Sequence, residues 1–398
     1  MEISKIFGKE IIEDTVIGQL QNCLIENSIG VLTADAHYGY AMPVGGCIAY
    51  KDHISLSGVG YDIGCGNKAV KTNIKAEDID ITAIMARISQ EIWFGVGRPN
   101  PTPVDHEILE KIANAAVKEQ RSFHQMASEQ LWTVGWWNHY VDIFSDEEGW
   151  VRIGVHFGSR GFGHKTTTGF IALSQGVSFD QKANPWAMDA KPILFDMRTY
   201  LGQAYFEAMS LAGEYAYAGR DIVCNKVLEI LWAQSTQEVH NHHNFARKEH
   251  HFDEEYYVVR KWCTPAFPGQ KGFVWSNMFD ESVILEGIES EDSKQWLYST
   301  VHWAGRVMSR MEAAGKTKIK NGERVVIKPG KVNFEHTKNE ARKRWIILIG
   351  AWADESPQCY KKLEEVLSFH EDTVKIIHRL KPLGVAMAGA DIFDPYKD

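Results

Sequence analysis

Several things are missing from this 398-residue chain, and each absence narrows what it can be. No stretch of about eighteen apolar residues occurs, so nothing reads as a membrane-spanning helix. The longest apolar candidate, Trp345-Ile-Ile-Leu-Ile349, suits a buried strand. The first fifteen residues, MEISKIFGKEIIEDT, lack the apolar core of a signal peptide. Among six cysteines there is no CxxC pair and no regular framework, which predicts free thiols in a reducing cytoplasm. Net positive charge is absent too. At −9 the chain does not coat nucleic acid by bulk attraction, although a local basic channel stays open to it. Linkers rich in Pro and Ser, low-complexity tracts and internal repeats are missing, and strands and helices do not alternate regularly. A doubly wound parallel sheet is therefore not expected. The reading is one large α+β domain over residues 1–398.

What is present suits a globular enzyme: 44% apolar residues, 24% charged ones and 13 tryptophans. The first 75 residues read as short strands and glycine loops. Helical spacing covers 76–93 and 103–129, the second with Thr102 as N-cap and Pro103 at its first position. Strands return near 150–156, helices fill much of 200–250, and short strands dominate 255–350. A last helix is expected from Ser356-Pro357, carrying Tyr360, Leu363, Leu367, Val374 and Ile377 and stopping before Pro382. Lys316, Lys318, Lys320, Arg324, Lys328 and Lys331 crowd one segment around Asn321-Gly322, a strong hairpin-turn signal. A solvated hairpin rim explains that cluster, and a nucleic-acid contact is the alternative.

Potential metal ligands gather in separate places. Gly58-Val-Gly-Tyr-Asp-Ile-Gly-Cys-Gly66 is too glycine-rich for a stable helix or strand, yet it sets Asp62 three residues from Cys65. Its glycines would let backbone and side chains crowd an ion; a tight turn with a buried cysteine is the plain alternative. Asn138-His139 lies in a strand-like alternation, where a lone histidine is more often a packed core residue. His156 stands at the mouth of a Gly-Ser-Arg-Gly turn that could face an anion. "EVHNHHNFARKEHH" brings His240, His242, His243, His250 and His251 together near an expected helix. Asp, Cys and several His point to borderline transition metals such as Mn, Co, Zn or Fe rather than Mg or Ca. A thiolate can also be shared by two ions. Finally, "STVHWAGRVMSR" holds His302 with Arg306 and Arg310 at helical spacing. A histidine flanked by arginines near metals suits phosphoryl chemistry; a helix end with surface arginines is the alternative.

"DAHYGYAMPVGG" (35–46), "SGVGYDIGCG" (57–66), "NHYVD" (138–142), "HFGSRGFGH" (156–164), "HHN" (242–244), "RKWCTPAFPG" (260–269) and "HWAGRVMSR" (302–310) resemble, in order and approximate spacing, the motifs of RtcB-type RNA ligases. The resemblance spans nearly the whole chain and implies a single α+β domain. It implies that Asp62, Cys65 and His243 hold one Mn²⁺ and Cys65, His139 and His156 another, Co²⁺ or Zn²⁺ being possible substitutes. It implies that His302 attacks the α-phosphate of GTP and carries GMP. That GMP would pass to an RNA 3′-phosphate, and a 5′-hydroxyl would displace it; a 2′,3′-cyclic phosphate would first be opened. Asp35 and His37 match a motif beside the reacting groups. Asn138, Tyr140, Asp142, Asn244, Asn277, Ser282, Ala304 and Arg306 would face the nucleotide. Arg160, Lys261, Arg306 and Arg310 would face RNA phosphates. The implied partners are broken or intron-cleaved RNA, tRNA or rRNA among them, and an activating protein.

Four departures fall around the nucleotide. Trp303 stands where the family has glycine, Trp275-Ser-Asn-Met-Phe-Asp280 replaces a Pro-Gly-Ser-Met-Gly-Thr loop, Asp142 replaces a glutamate, and Met387 replaces a lysine before an eleven-residue tail. They predict a divergent paralogue with weak discrimination among nucleoside triphosphates. Trp303 stacking on the base is the expected compensation, and Lys397 in the tail standing in for the lost lysine is the alternative. Two further readings accompany the ligase: a metal-dependent RNA end-healing phosphodiesterase, and a non-catalytic RNA-end binding protein.

Overall fold

Alternating apolar residues along the chain build two principal sheets, and the computed structural model describes residues 3–389 apart from 96–98, 101, 136–137, 183, 185–186 and 321–322. The larger sheet has eight strands. Seven of them run in the spatial order Ser235–His242, Gly66–Lys75, Trp150–Phe157, Tyr140–Asp146, Val374–Met387, Ser282–Gly287, Lys271–Val274, all antiparallel; Ile347–Ile349 adds in parallel to Val374–Met387. The smaller sheet has five, ordered Ile3–Ile6, Ile29–His37, Val44–Tyr50, Glu254–Lys261, Asn244–His251. One helix, Tyr200–Leu231, lays Val223, Cys224, Val227 and Ile230 against Val70, Val155 and Phe157 of the larger sheet, burying an apolar layer that holds the sheet's shape. The architecture is mixed α+β, as read from the sequence. No helix among the described residues is long and apolar enough to cross a membrane.

Several local expectations are corrected. Residues 103–129 are not one helix. Glu107–Ala113 starts at His106, whose ring accepts from the Ile108 N–H, and ends where the Asn114 amide folds back on the Glu110 carbonyl. Lys118–Arg121 and His124–Gln130 follow separately. The helical reading of 200–250 holds only to Leu231. Trp232 then takes a left-handed backbone, and the histidine-rich segment becomes a pair of strands, Ser235–His242 and Asn244–His251. The expected last helix is also wrong. A 3-10 turn, Pro357–Cys359, does start after Ser356, but the α-helix is confined to Leu363–Ser368, and Val374–Met387 is a strand that carries Pro382 at an irregularity in its pairing with Tyr140–Asp146. A proline is tolerated in a sheet at such a break, and the β-branched run before it favours extension. Residues 302–308 form bends, with helix only from Arg310, so Arg306 and Arg310 are not a turn apart on one helix. In the 345–349 segment only Ile347–Ile349 is strand, half-buried, while Trp345 is exposed. Gly315–Lys320 and Glu323–Pro329 do form an antiparallel pair; the Asn321-Gly322 turn between them and the tail bearing Lys397 lie outside the described residues.

Candidate metal centre and adjoining histidine

Four strands of the larger sheet end side by side, and that row of ends supplies the donors. Cys65 immediately precedes Gly66–Lys75, and His139 immediately precedes Tyr140–Asp146. His156 is the penultimate residue of Trp150–Phe157, directly opposite both Asn67 and Tyr140 in register. His243 is the single residue between Ser235–His242 and Asn244–His251, where the chain leaves one sheet for the other. The pleat thus brings together residues that are up to 178 positions apart (65 to 243).

Two donor groups result, and they share one atom. Cys65, His156 and His243 form one; Asp62, Cys65 and His139 form the other, with donor atoms in each within 4.8 Å of one another. Cys65 Sγ lies 3.2 Å from His156 Nε2 and 3.7 Å from His139 Nε2. His139 Nε2 is 3.1 Å from Asp62 Oδ2, and the Nε2 atoms of His156 and His243 approach to 3.2 Å. The grouping differs from the one the family resemblance implies: Asp62 sits with His139, and His156 with His243. A glycine permits it, because a Cβ on Gly158 would lie 2.1 Å from Asp62 Oδ1.

These donors fit an ion of the thiolate- and imidazole-accepting kind. Burial pushes His156 and His243 well below the usual histidine range and lowers His139, which keeps the rings neutral, each with one nitrogen lone pair. His156 Nδ1 donates to the Asn138 carbonyl at 2.8 Å, so its Nε2 presents a lone pair to the cluster. Burial, with the nearby Asp62 carboxylate, raises the Cys65 thiol well above its usual range; a cation would reverse that and hold the thiolate. Burial raises Asp62, but the bonds and charge of His139 outweigh it, so its carboxyl is ionised below the usual range. With its lone pair on Nε2, His156 can accept from a His243 Nε2–H at 3.2 Å, and with both nitrogens bare the same pair can face a cation.

His302 adjoins this cluster, its ring centroid 4.9 Å from that of His243. Its Nδ1 donates to Asp35 Oδ2 at 2.8 Å, and its backbone N–H donates to the same oxygen at 3.2 Å. Asp35 is fully buried. Burial alone raises its carboxyl, but the bonds from His302 and Thr33 bring the net below the usual range. The arrangement fixes the tautomer that leaves His302 Nε2 as a nucleophilic nitrogen. Gly305, at φ +80, allows it: a Cβ there would lie 2.4 Å from the Asp35 carbonyl. His37 Nδ1 contacts the Asp35 carbonyl at 3.2 Å, and burial lowers the ring to about 4.

The remaining expected residues divide. Asn244 Nδ2 donates to the Asp62 carbonyl at 2.9 Å and leaves its buried Oδ1 unpartnered. Asn277 Oδ1 caps the turn at Phe279 and Asp280, and Ser282 Oγ accepts from the Ser276 N–H. Tyr140 donates to Asn67 Oδ1, and its ring stacks on Trp275. Asp142 is sealed: Trp275 Nε1 donates to it at 2.8 Å, the Ala386 N–H at 3.3 Å, and burial pushes its carboxyl well up. Trp303 does not hold a face open. It stacks on Tyr360 at 5.4 Å and 10°, with its edge on Trp275 and Ala304 buried beside it. Arg160 donates to Thr133 Oγ1 and the Gly95 carbonyl. Lys261 donates to the Tyr40 carbonyl at 2.6 Å, and burial lowers its ammonium to about 8. Arg306 is held by the Asp354 carbonyl and the Tyr360 hydroxyl, and Arg310 by Asp354 and Glu355.

One residue that sequence reasoning missed is Arg220, an arginine inside the long apolar helix. Its guanidinium is fully buried and donates to the Gly64 carbonyl at 2.9 Å and to the Phe157 carbonyl, which pins the segments that carry the candidate donors Cys65 and His156. It also donates to His240 Nε2 at 2.8 Å, while His242 Nδ1 lies 3.0 Å from the guanidinium and 2.9 Å from the Gly64 carbonyl, and His240 Nδ1 in turn faces Asp221 at 3.3 Å. A buried charge in such a helix was the available signal.

A model of the family described as tRNA-splicing ligase RtcB matches residues 22–388. The RNA-splicing ligase RtcB of Escherichia coli (strain K12) is 30% identical over 375 residues, covering 87% of each chain. The tRNA-splicing ligase RtcB of Archaeoglobus fulgidus is 28% identical over 457 residues, covering 95% of this chain and 92% of that one. The tRNA-splicing ligase RtcB of Methanococcus maripaludis is 26% identical over 431 residues, covering 88% and 86%.

Proposed function

The chain belongs to the RtcB family, and from that premise we propose that it is an RNA ligase joining a 3′-phosphate or 2′,3′-cyclic phosphate end to a 5′-hydroxyl, using two divalent metals and a nucleoside triphosphate. The observation that carries this reading is the Asp35–His302 dyad set beside a donor cluster that shares Cys65. Asp62, Cys65, His139, His156 and His243 would hold the metals, Mn²⁺ by preference. When bound, they supply Lewis-acid stabilisation of phosphoryl oxygens. His302 Nε2 attacks the α-phosphorus of GTP; the N–P bond forms as pyrophosphate leaves, and Asp35 keeps the Nδ1 proton in place throughout. The GMP group passes from His302 to an oxygen of the RNA 3′-phosphate. The 5′-hydroxyl then attacks that 3′-phosphorus, GMP leaves, and a phosphodiester remains. Asn138, Asn244, Ser282 and Ala304 are the proposed neighbours of the nucleotide, and Arg160 and Lys261 of RNA phosphates. Arg306 and Arg310 would serve phosphates only by exchanging their acidic and carbonyl partners.

A second reading rests on one specific feature. Asp142 is sealed beneath Trp275 and Trp303 is stacked on Tyr360, so the carboxylate and the indole expected at the base are both engaged elsewhere. That favours metal-dependent opening of cyclic phosphates without nucleotide activation. Elemental analysis after saturation with Mn²⁺ tests the metal part directly. Wild type should carry two ions per chain, one for each donor group, and Cys65→Ser should carry neither, because the shared sulfur belongs to both. Full stoichiometry in Cys65→Ser contradicts the shared site.

A further inference from the structure

Trp262 stands between two strands of different sheets, Glu254–Lys261 and Cys263–Pro265, with φ +58. That left-handed backbone suits glycine and is costly for a large aromatic residue. Strain of this kind persists where surrounding structure enforces it, and it concentrates at ligand clamps and reacting sites. Here it turns the indole over the reacting histidines. Its ring stacks on His243 at 5.0 Å and 28°, lies 5.1 Å from His302, and meets His156 at 5.8 Å. Unlike Trp275 and Trp303, which are buried, Trp262 keeps part of its surface in solvent. An indole packed beside both the donor cluster and His302 adds no ligand and no charge. It does offer a π-surface beside the place where a phosphate reacts.

Resting on the ligase reading above, we propose that Trp262 is a binding residue that stacks on the nucleobase of the nucleotide whose phosphate reacts at His302 and the donor cluster. The base is that of the RNA terminal nucleoside or of the triphosphate, one chemistry from two sources. Stacking of this kind tolerates any base, so it selects a nucleotide end over a bare phosphate without reading sequence.

The test uses the full Mn²⁺-loaded chain, a short RNA with a 3′-phosphate, the same RNA with an abasic terminal ribose, and GTP. Trp262→Gly removes the ring while accepting φ +58 without strain, and Trp262→Phe keeps a smaller aromatic. Fluorescence anisotropy should show wild type preferring the natural end over the abasic end by about five- to a hundredfold. Trp262→Gly should lose that preference by weakening on the natural RNA alone, Trp262→Phe should keep most of it, and Mn²⁺ content should not change in either. If Trp262→Gly weakens GTP by the same factor while the RNA preference persists, the base is the triphosphate's. Unchanged RNA preference together with unchanged GTP affinity in Trp262→Gly overturns the stacking role. Wild type that binds neither RNA nor GTP instead overturns the ligase reading on which the role rests.

Discussion

Replacing Arg220 with methionine should cost this protein both stability and metal. The guanidinium is fully buried and donates to three acceptors: the Gly64 and Phe157 carbonyls and His240 Nε2. Each acceptor left unsatisfied in the interior costs about 1–3 kcal/mol. Against that sum, a methionine regains apolar packing, and the penalty of burying a charge disappears; burial already holds the Arg220 pKa below the usual arginine value. Breaking one side of a buried charged network typically nets about 3–5 kcal/mol, and that is the expected loss in urea unfolding. The metal effect is separate. Gly64 adjoins Cys65 and Phe157 adjoins His156, so freeing their carbonyls should weaken Mn²⁺ binding roughly ten- to a hundredfold, as loss of outer hydrogen bonds to metal ligands does elsewhere. Arg220→Lys keeps the charge but not the fork and should fall between. The Co²⁺-loaded protein gives an independent readout through its thiolate charge-transfer band, which should shift in Arg220→Lys. A methionine variant within about 1 kcal/mol of wild type and unchanged in Mn²⁺ affinity would contradict this, since three buried acceptors cannot lose their donor at so little cost.

Acid should probe a different network. Burial raises the Glu249 carboxyl, but Arg260, donating at 3.0 Å, and His251 bring it down to about 2. A depressed folded pKa contributes stability that is present above about 4.5 and lost as pH falls through about 2. Wild type should therefore lose about 3 kcal/mol more than Glu249→Gln between those limits, measured as urea midpoints against pH. Nucleotide choice should be loose. With Asp142 sealed under Trp275 and Met387 buried, labelling of His302 by ATP, CTP or UTP should come within about tenfold of GTP, because losing one base contact removes about 1–3 kcal/mol of discrimination; strict GTP use contradicts this. Asp35→Asn should leave Mn²⁺ content unchanged while cutting His302 nucleotidylation at least about a hundredfold, since the amide no longer fixes the Nδ1–H tautomer.

The donors were legible in the sequence because their chemistry is local: Asp62 and Cys65 on a glycine-rich segment, and histidines at segment ends. Their partition was not. Whether Asp62 sits with His139 or His243 depends on which strand ends lie adjacent, and that is set by a register spanning the whole sheet. The histidine-rich segment reads as helical beside the 32-residue helix before it, yet it pairs as strands because Val239 and Ala246 have apolar layers to fill. Val374–Met387 was masked by Pro382, which tolerates a strand only because the pairing is irregular there. Trp303 read as a free stacking face; Tyr360, 57 residues later, occupies it. Arg220 and Trp262 acquire meaning only once distant backbone carbonyls and histidines surround them.

The central claim is that the Asp35–His302 dyad and the Cys65 cluster form one ligating site. It is tested most directly by incubating the full chain with Mn²⁺, α-labelled GTP and a broken RNA hairpin bearing 3′-phosphate and 5′-hydroxyl ends. Sealed RNA is expected together with label on His302 that is stable to alkali and released by acid, both abolished in His302→Ala while its Mn²⁺ content is retained. Sealing that survives in His302→Ala, or label found on a lysine, would contradict it.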